Sequence, residues 1–315
     1  MTHYESSMPG TQYIINCYEQ NKNICRKFNK KNFSNIIKNP DINIVIGFKG
    51  RKDHLNATLK YLNFAISKTD LKINIFLIEH DVAAHFKNIA KNNNLNYGFL
   101  DIDKTSKNEQ YSRALVFNSA IKQCPEPKWW LFHDVDLIVP HDFFIKLKKY
   151  MDSCKTWIQP FAQKRVVFLN SEQTKKIQTS DNFIFDMYNN FPIDYGKTII
   201  GAPGGSTLIP HNLILEVGGY DDELFYGYAP EDAFLWVKLE CMFHRVDRIN
   251  YCHMGAAMYT EDIPQFHQDH PRMDNTNPYF QSMEKIMKIF FELPYEEKLK
   301  IIKYKKNLFE TQKLC

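Results

Sequence analysis

The stretch Trp129-Trp130-Leu131-Phe132-His133-Asp134-Val135-Asp136 decides how the rest of the chain is read. Four large apolar residues run into two aspartates one residue apart. So apolar a run reads as a strand buried on both faces, as in the middle of a parallel sheet. Carboxylates just past such a strand lie at its C-terminal edge, where open α/β sheets bind ligands. Side chains alternate along a strand, so an Asp-x-Asp pair aims both groups to one side of that edge. Two neighbouring carboxylates repel unless a positive group lies between them, and a hard divalent cation is the simplest such group. The same pair also serves merely to end a strand and open a turn. Its meaning therefore depends on the residues around it.

Working outward, Ile42–Phe48 is another apolar strand, followed by the polar turn Lys49-Gly50-Arg51-Lys52-Asp53. A helical pattern through Leu55, Leu59, Leu62, Phe64 and Ile66 leads to a strand over Ile73–Ile78, which completes a βαβ unit. A helix over 82–92, a strand over Tyr97–Leu100 and a helix over Arg113–Ile121 continue the alternation. This order predicts an α/β fold, a mostly parallel sheet flanked by helices. Residues 142–198 are less regular, with a helix over 143–151 and a strand near Val166–Leu169. After Gly204-Gly205 come a strand Ser206–Ile209 and a helix Asn212–Val217 that stops at Gly218-Gly219. Pro230-Glu231-Asp232 opens a strong helix. The chain divides into an N-terminal extension (1–40), an α/β domain (41–270) and a basic C-terminal helical segment (271–315).

Composition narrows the function. An apolar fraction of 44% with 14% aromatics fills a core, so the chain is not disordered. The net charge of +4 is mild, and no block of Lys and Arg suggests a nucleic-acid arm. The N-terminal residues carry neither a basic n-region nor an apolar h-region, so no signal peptide is expected. No apolar run reaches the roughly 18 residues of a membrane span. Seven irregularly spaced cysteines make a poor disulfide framework and fit a reducing, cytoplasmic compartment. Cys241, His244, Cys252 and His253 match no zinc spacing.

Four groups can carry chemistry besides the aspartates. Gly47-Phe48-Lys49-Gly50-Arg51 places backbone and cations at a sheet edge, where a nucleotide can be held, although it is neither a Walker loop nor a dinucleotide fingerprint. Gly204-Gly205 lets backbone approach a ligand closely. Phe225-Tyr226-Gly227-Tyr228-Ala229-Pro230-Glu231-Asp232 gathers aromatics and two acids at a helix start. Acids there serve as dipole partners, but rings beside carboxylates also suit a sugar, whose C–H faces stack while its hydroxyls donate. His253 follows a strand and is either structural or a metal ligand that meets Asp136.

Taken in order from Ile42 to Pro264, these groups resemble the β-1,4-galactosyltransferase family of inverting glycosyltransferases, which have the Rossmann-like GT-A fold. Ile44–Leu55 is similar to that family's first-strand motif. Ser112-Arg113-Ala114 resembles its Asn-Arg-Ala helix, and Asp134-Val135-Asp136-Leu137-Ile138-Val139-Pro140 its Asp-Val-Asp-Leu-Ile-Pro segment. Gly204-Gly205 falls at its Gly-Gly turn, and Tyr226–Asp232 resembles Trp-Gly-Trp-Gly-Gly-Glu-Asp. The resemblance implies a hexose or N-acetylhexosamine moved from a UDP-sugar to an acceptor hydroxyl of a glycan or glycoconjugate. Phe48, Lys49, Arg51 and Arg113 would hold uridine and diphosphate. Asp134 would touch the nucleotide sugar, with Val135, Gly204 and Gly205 in the same donor site. Asp136 and His253 would ligate the metal, Mn²⁺ or Mg²⁺, of which a His ligand favours Mn²⁺. Tyr228, in place of a Trp, would line the sugar pocket, Glu231 would bind sugar hydroxyls and Asp232 would be the base. Ala229-Pro230 replaces Gly-Gly, and Ala202 leaves room for an N-acetyl group. A sugar-nucleotide nucleotidyltransferase and a non-catalytic carbohydrate-binding relative are the competing readings. The basic C-terminal helix either packs on the domain or makes a weak peripheral membrane contact.

Overall fold

The computed structural model describes residues 9–92, 95–102, 110–160, 165–180, 197–200, 204–245, 256–271 and 277–312. The chain opens with α1 (Gly10–Asn21), β1 (Lys30–Asn32), β2 (Ile42–Phe48), α2 (Lys52–Ile66), β3 (Ile73–Asp81), α3 (Lys87–Asn92) and β4 (Asn96–Asp101). Then come α4 (Arg113–Gln123), β5 (Trp129–Asp134), β6 (Leu137–Ile138), α5 (Phe143–Ser153), β7 (Ile158–Gln159), β8 (Arg165–Phe168), α6 (Ser171–Thr179) and β9 (Lys197–Ile200). The last described elements are β10 (Ser206–Pro210), α7 (His211–Glu216), α8 (Glu231–Phe243), β11 (Met258–Tyr259), β12 (Phe266–His267), α9 (Phe280–Glu292) and α10 (Tyr295–Thr311).

The larger sheet has the order β1-β4-β3-β2-β5-β10-β7-β11. Its centre, β4-β3-β2-β5, is parallel, as the βαβ alternation predicts. Every residue of β2 is buried, which is why its sequence is apolar without alternation. Successive side chains still point opposite ways. Val45, Phe76, Trp130 and Phe132 join one core with α4, α8, α9 and α10. Ile44, Ile46, Leu77 and Leu131 join the other with α2 and α5. β10 runs antiparallel to β5, and its register sets Ser206 opposite His133. The in-register pairing of Gly47 with Asp134 brings the C-terminal ends of β2 and β5 to one edge.

A smaller sheet, β6-β12-β8-β9, stands beside this edge. Its β12 pairs with β6 so that His267 faces Leu137, and the Gln268 N–H donates to the Asp136 carbonyl at 2.9 Å. Residues far apart in sequence are thereby tied to the end of β5.

The helix expected over 82–92 begins only at Lys87. Glu79, at the end of β3, accepts the backbone N–H groups of His85 and Phe86, fixing the preceding turn in a non-helical path. The C-terminal helices are integral to the core. Met283, Ile286, Met287 and Phe290 of α9 are buried, as are Ile301, Ile302 and Phe309 of α10, so the apolar side of the basic helix is consumed by packing. Among the described residues no helix is long and apolar enough to cross a membrane.

Between these helices and the domain lies a charged knot. Asp221, Asp222 and Glu223 are all buried. Lys238 pairs with Asp221 at 2.6 Å, Arg26 with Asp222 at 2.8 Å, and Lys305 with Glu223 at 2.6 Å. Three acids and three cations cancel, which makes burial of all six tolerable.

Candidate active site

Arg113 is the first residue of α4, whose cap Ser112 accepts the Leu115 N–H at 3.2 Å. This start aims the guanidinium across the sheet edge. Its Nη1 donates to both oxygens of Asp134 at 3.0 and 3.1 Å. Its Nε donates to Glu231 at 2.9 Å and its Nη2 to Asp232 at 3.0 Å. One cation thus gathers three carboxylates from two elements. Burial disfavours the charge on Arg113, but Asp134, Glu231 and Asp232 more than offset this and raise its pKa. Burial pushes the Glu231 carboxyl up to about 7; Arg113 opposes the shift and neighbouring Asp232 adds to it. Gly204 closes this cluster from above. A Cβ there would lie 2.6 Å from Asp232 Oδ2 and 3.3 Å from Arg113 Nη1, so a larger residue would push the pair aside.

Asp136 forms a second centre. It is 3% exposed, and with His267 and His270 it offers ligand atoms that all lie within 4.8 Å of one another. His270 Nε2 is 3.2 Å from Asp136 Oδ2 and His267 Nε2 is 3.6 Å from Oδ1. Asp136 Oδ1 has no hydrogen-bond partner although it is buried. A buried carboxylate oxygen without a hydrogen-bond donor, beside two imidazoles, fits a cation site. The mixed oxygen and nitrogen donors suit a borderline divalent metal. Burial raises the Asp136 pKa, but the His270 hydrogen bond and the charges of His267, Arg51 and His270 bring it down to about 2. Arg51 also pairs with Asp136, and its Nη2 lies 3.2 Å from His270 Nδ1.

The end of β2 is tightly packed at Gly47, where a Cβ would meet the Tyr111 hydroxyl and Val116 at 2.7 Å. Phe48 is buried edge-on against Phe86, with ring centroids 5.0 Å apart, so its ring belongs to the core. Lys49 is exposed, and Gly50 and Arg51 both have positive φ, 63° and 54°. On the other side Tyr228 is 57% exposed and stacks on Phe280 at 6.0 Å and 20°. The buried amide of Asn277 donates to the carbonyls of Tyr226 and Tyr228 at 2.8 and 3.0 Å and fixes that turn.

Asp134, Arg113, Gly204, Glu231 and Asp232 therefore meet in one cluster, and Asp136 and Arg51 meet in the adjoining one. His253 and Ala202 lie outside the described residues. The His-x-x-His spacing of His267 and His270 was the signal for the histidines beside Asp136, and the sequence reading missed it.

Residues 43–254 match the family described as glycosyltransferase like family 2. The chain belongs to this family. Among curated proteins no sequence matches this glycosyltransferase. Its fold is similar to that of the catalytic domain of Drosophila β1,4-galactosyltransferase 7 solved with xylobiose, with 12% identity, TM-score 0.43, and 81% and 82% of the two chains covered. It is also similar to Mycobacterium tuberculosis glucosyl-3-phosphoglycerate synthase in complex with Mn²⁺, UDP and glucosyl-3-phosphoglycerate, with 9% identity, TM-score 0.47 and 81% of each chain covered. A mannosyltransferase from Pyrobaculum calidifontis with GDP-Man and Mn²⁺ gives 9% identity, TM-score 0.48, and 95% and 77% coverage. The GT-A architecture expected of the glycosyltransferase from its sequence is the one observed.

Proposed function

We propose that this glycosyltransferase moves a hexose or N-acetylhexosamine from a UDP-sugar to an acceptor hydroxyl, with inversion, and that it uses a divalent metal at Asp136, His267 and His270. The observation that carries the reading is the adjacency of two centres at one sheet edge: the Asp136–His267–His270 group and the Arg113-bound Asp134–Glu231–Asp232 cluster. Two imidazoles favour Mn²⁺ over Mg²⁺. Bound there, the cation supplies counter-charge for the departing diphosphate.

The chain's own groups account for the rest. Arg113 and Arg51 present planar guanidinium forks suited to phosphate oxygens. Asp134 stands between the two centres and meets the nucleotide sugar. The exposed ring of Tyr228 offers a stacking face for a sugar. Glu231, with its pKa near 7, can accept or donate a hydrogen bond to sugar hydroxyls. Asp232, less buried than Glu231, takes the acceptor's proton as attack proceeds. Holding acceptor and anomeric carbon in line supplies much of the rate. The resemblance to β-1,4-galactosyltransferases supports galactose or an N-acetylhexosamine as the transferred sugar. Cys124, Cys154 and Cys241 as free thiols support a reducing, cytoplasmic setting.

The test is UDP release from a panel of UDP-sugars with Mn²⁺ and a panel of glycan acceptors. Asp136→Asn and Asp232→Asn are each expected to lower transfer by at least about a hundredfold. Near-normal transfer by Asp232→Asn would show that the base lies elsewhere.

A further inference from the structure

Arg51 occupies an unexpected place for a residue expected to hold a donor phosphate. Its guanidinium spans two of the three candidate metal ligands, pairing with Asp136 Oδ2 through Nη1 and reaching His270 Nδ1 at 3.2 Å through Nη2. The backbone is bent to put it there. Gly50 and Arg51 are consecutive left-handed residues, and Arg51 at φ 54° and ψ 42° holds a conformation that a non-glycine residue seldom adopts. This double bend folds the basic turn back over the end of β5. The result is a positive charge against a carboxylate that is 5% exposed, with the other Asp136 oxygen left unsatisfied.

We propose that Arg51 is an internal stand-in for the metal, holding Asp136 and His270 in place until a divalent cation is bound and then becoming available to the donor's diphosphate. The proposal rests on the metal-site reading above. A guanidinium and a divalent cation repel, so the two do not sit on the one Asp136 carboxylate together. Without any cation, Asp136 would be a buried charge with too few partners, which is costly. With the metal bound, the released guanidinium has a fork geometry that matches phosphate oxygens and lies beside exposed Lys49. Metal and nucleotide binding are then linked: each favours the state in which Arg51 has left Asp136, and the coupling is reciprocal.

The proposal makes predictions of opposite sign for one residue. Arg51→Asn is the main variant, because Asn accepts the left-handed backbone and is too short to reach Asp136. Mn²⁺ alone, titrated calorimetrically without nucleotide, is expected to bind this variant about tenfold more tightly than wild type, since its competitor is gone. UDP, titrated in saturating Mn²⁺, is expected to bind it about tenfold more weakly. Arg51→Lys keeps a charge but loses the fork, and should fall between the two for Mn²⁺. As an independent readout, Mn²⁺ should raise the thermal midpoint of Arg51→Asn more than that of wild type, starting from a lower metal-free value. If Arg51→Asn and Arg51→Lys bind Mn²⁺ no more tightly than wild type, the stand-in role is wrong. The metal site itself still stands in that case, provided Asp136→Asn abolishes wild-type Mn²⁺ binding. If wild type binds no Mn²⁺ at all, both ideas fall.

Discussion

Burial places the Glu231 carboxyl near pKa 7, against the pull of Arg113 and with the help of Asp232. Its raised pKa makes a contribution to stability that is fully present below the ordinary value of about 4.5 and is lost as pH rises through about 7, a loss on the order of 3 kcal/mol. Thermal unfolding of protein freed of metal and nucleotide should therefore show a falling midpoint between pH 5 and pH 8. Glu231→Gln should flatten that fall, and an unchanged slope would mean that some other group sets it. At this scale the sequence was legible where a residue type has one plausible employment. Asp134 and Asp136 past an apolar strand, and Glu231-Asp232 after a proline, sit where the chain order puts them. His267 and His270 did not stand out, because a histidine pair amid polar residues has many uses and its partner carboxylate lies more than a hundred residues earlier. Phe48 shows the opposite limit, since a motif match did not tell ring from backbone, and the ring packs on Phe86.

The long buried strands β2, β3 and β5 were readable because strands covered on both faces are written as unbroken apolar runs. The strands that complete the candidate metal centre were not, because β6 and β12 are two residues each and two residues have no period. Yet β12 does the placing. Phe266 is 2% exposed and packs with Ile138, Leu169 and Ile177, which pins its neighbour His267 beside Asp136 while Phe168 stacks on the imidazole at 4.7 Å. Phe266→Ala should cost about 3–5 kcal/mol of stability through the cavity it leaves. It should also weaken Mn²⁺ binding by about tenfold although residue 266 offers no ligand atom. Calorimetric titration at a temperature where the variant is folded checks this; unchanged Mn²⁺ affinity would mean that His267 is held by other contacts.

On the scale of the whole molecule, the knot at Asp221-Asp222-Glu223 binds the two ends of the chain to the turn that leads into Glu231 and Asp232. Arg26 arrives from the N-terminal side and Lys305 from the C-terminal helix. Acidic side chains are almost never fully buried unless paired, and these three are internal and paired. Lys305→Met should leave Glu223 short of a partner and cost about 3–5 kcal/mol, measured by urea unfolding. Lys305→Arg should recover part of the loss. The same knot sets an order on the protein's birth. Glu223 leaves the ribosome 82 residues before the lysine that neutralises it. Until that lysine is made, Asp221, Asp222 and Glu223 have two of their three cations, Arg26 and Lys238. The turn that leads into Glu231 and Asp232 therefore has no fully neutralised trio to close on before Lys305 is made.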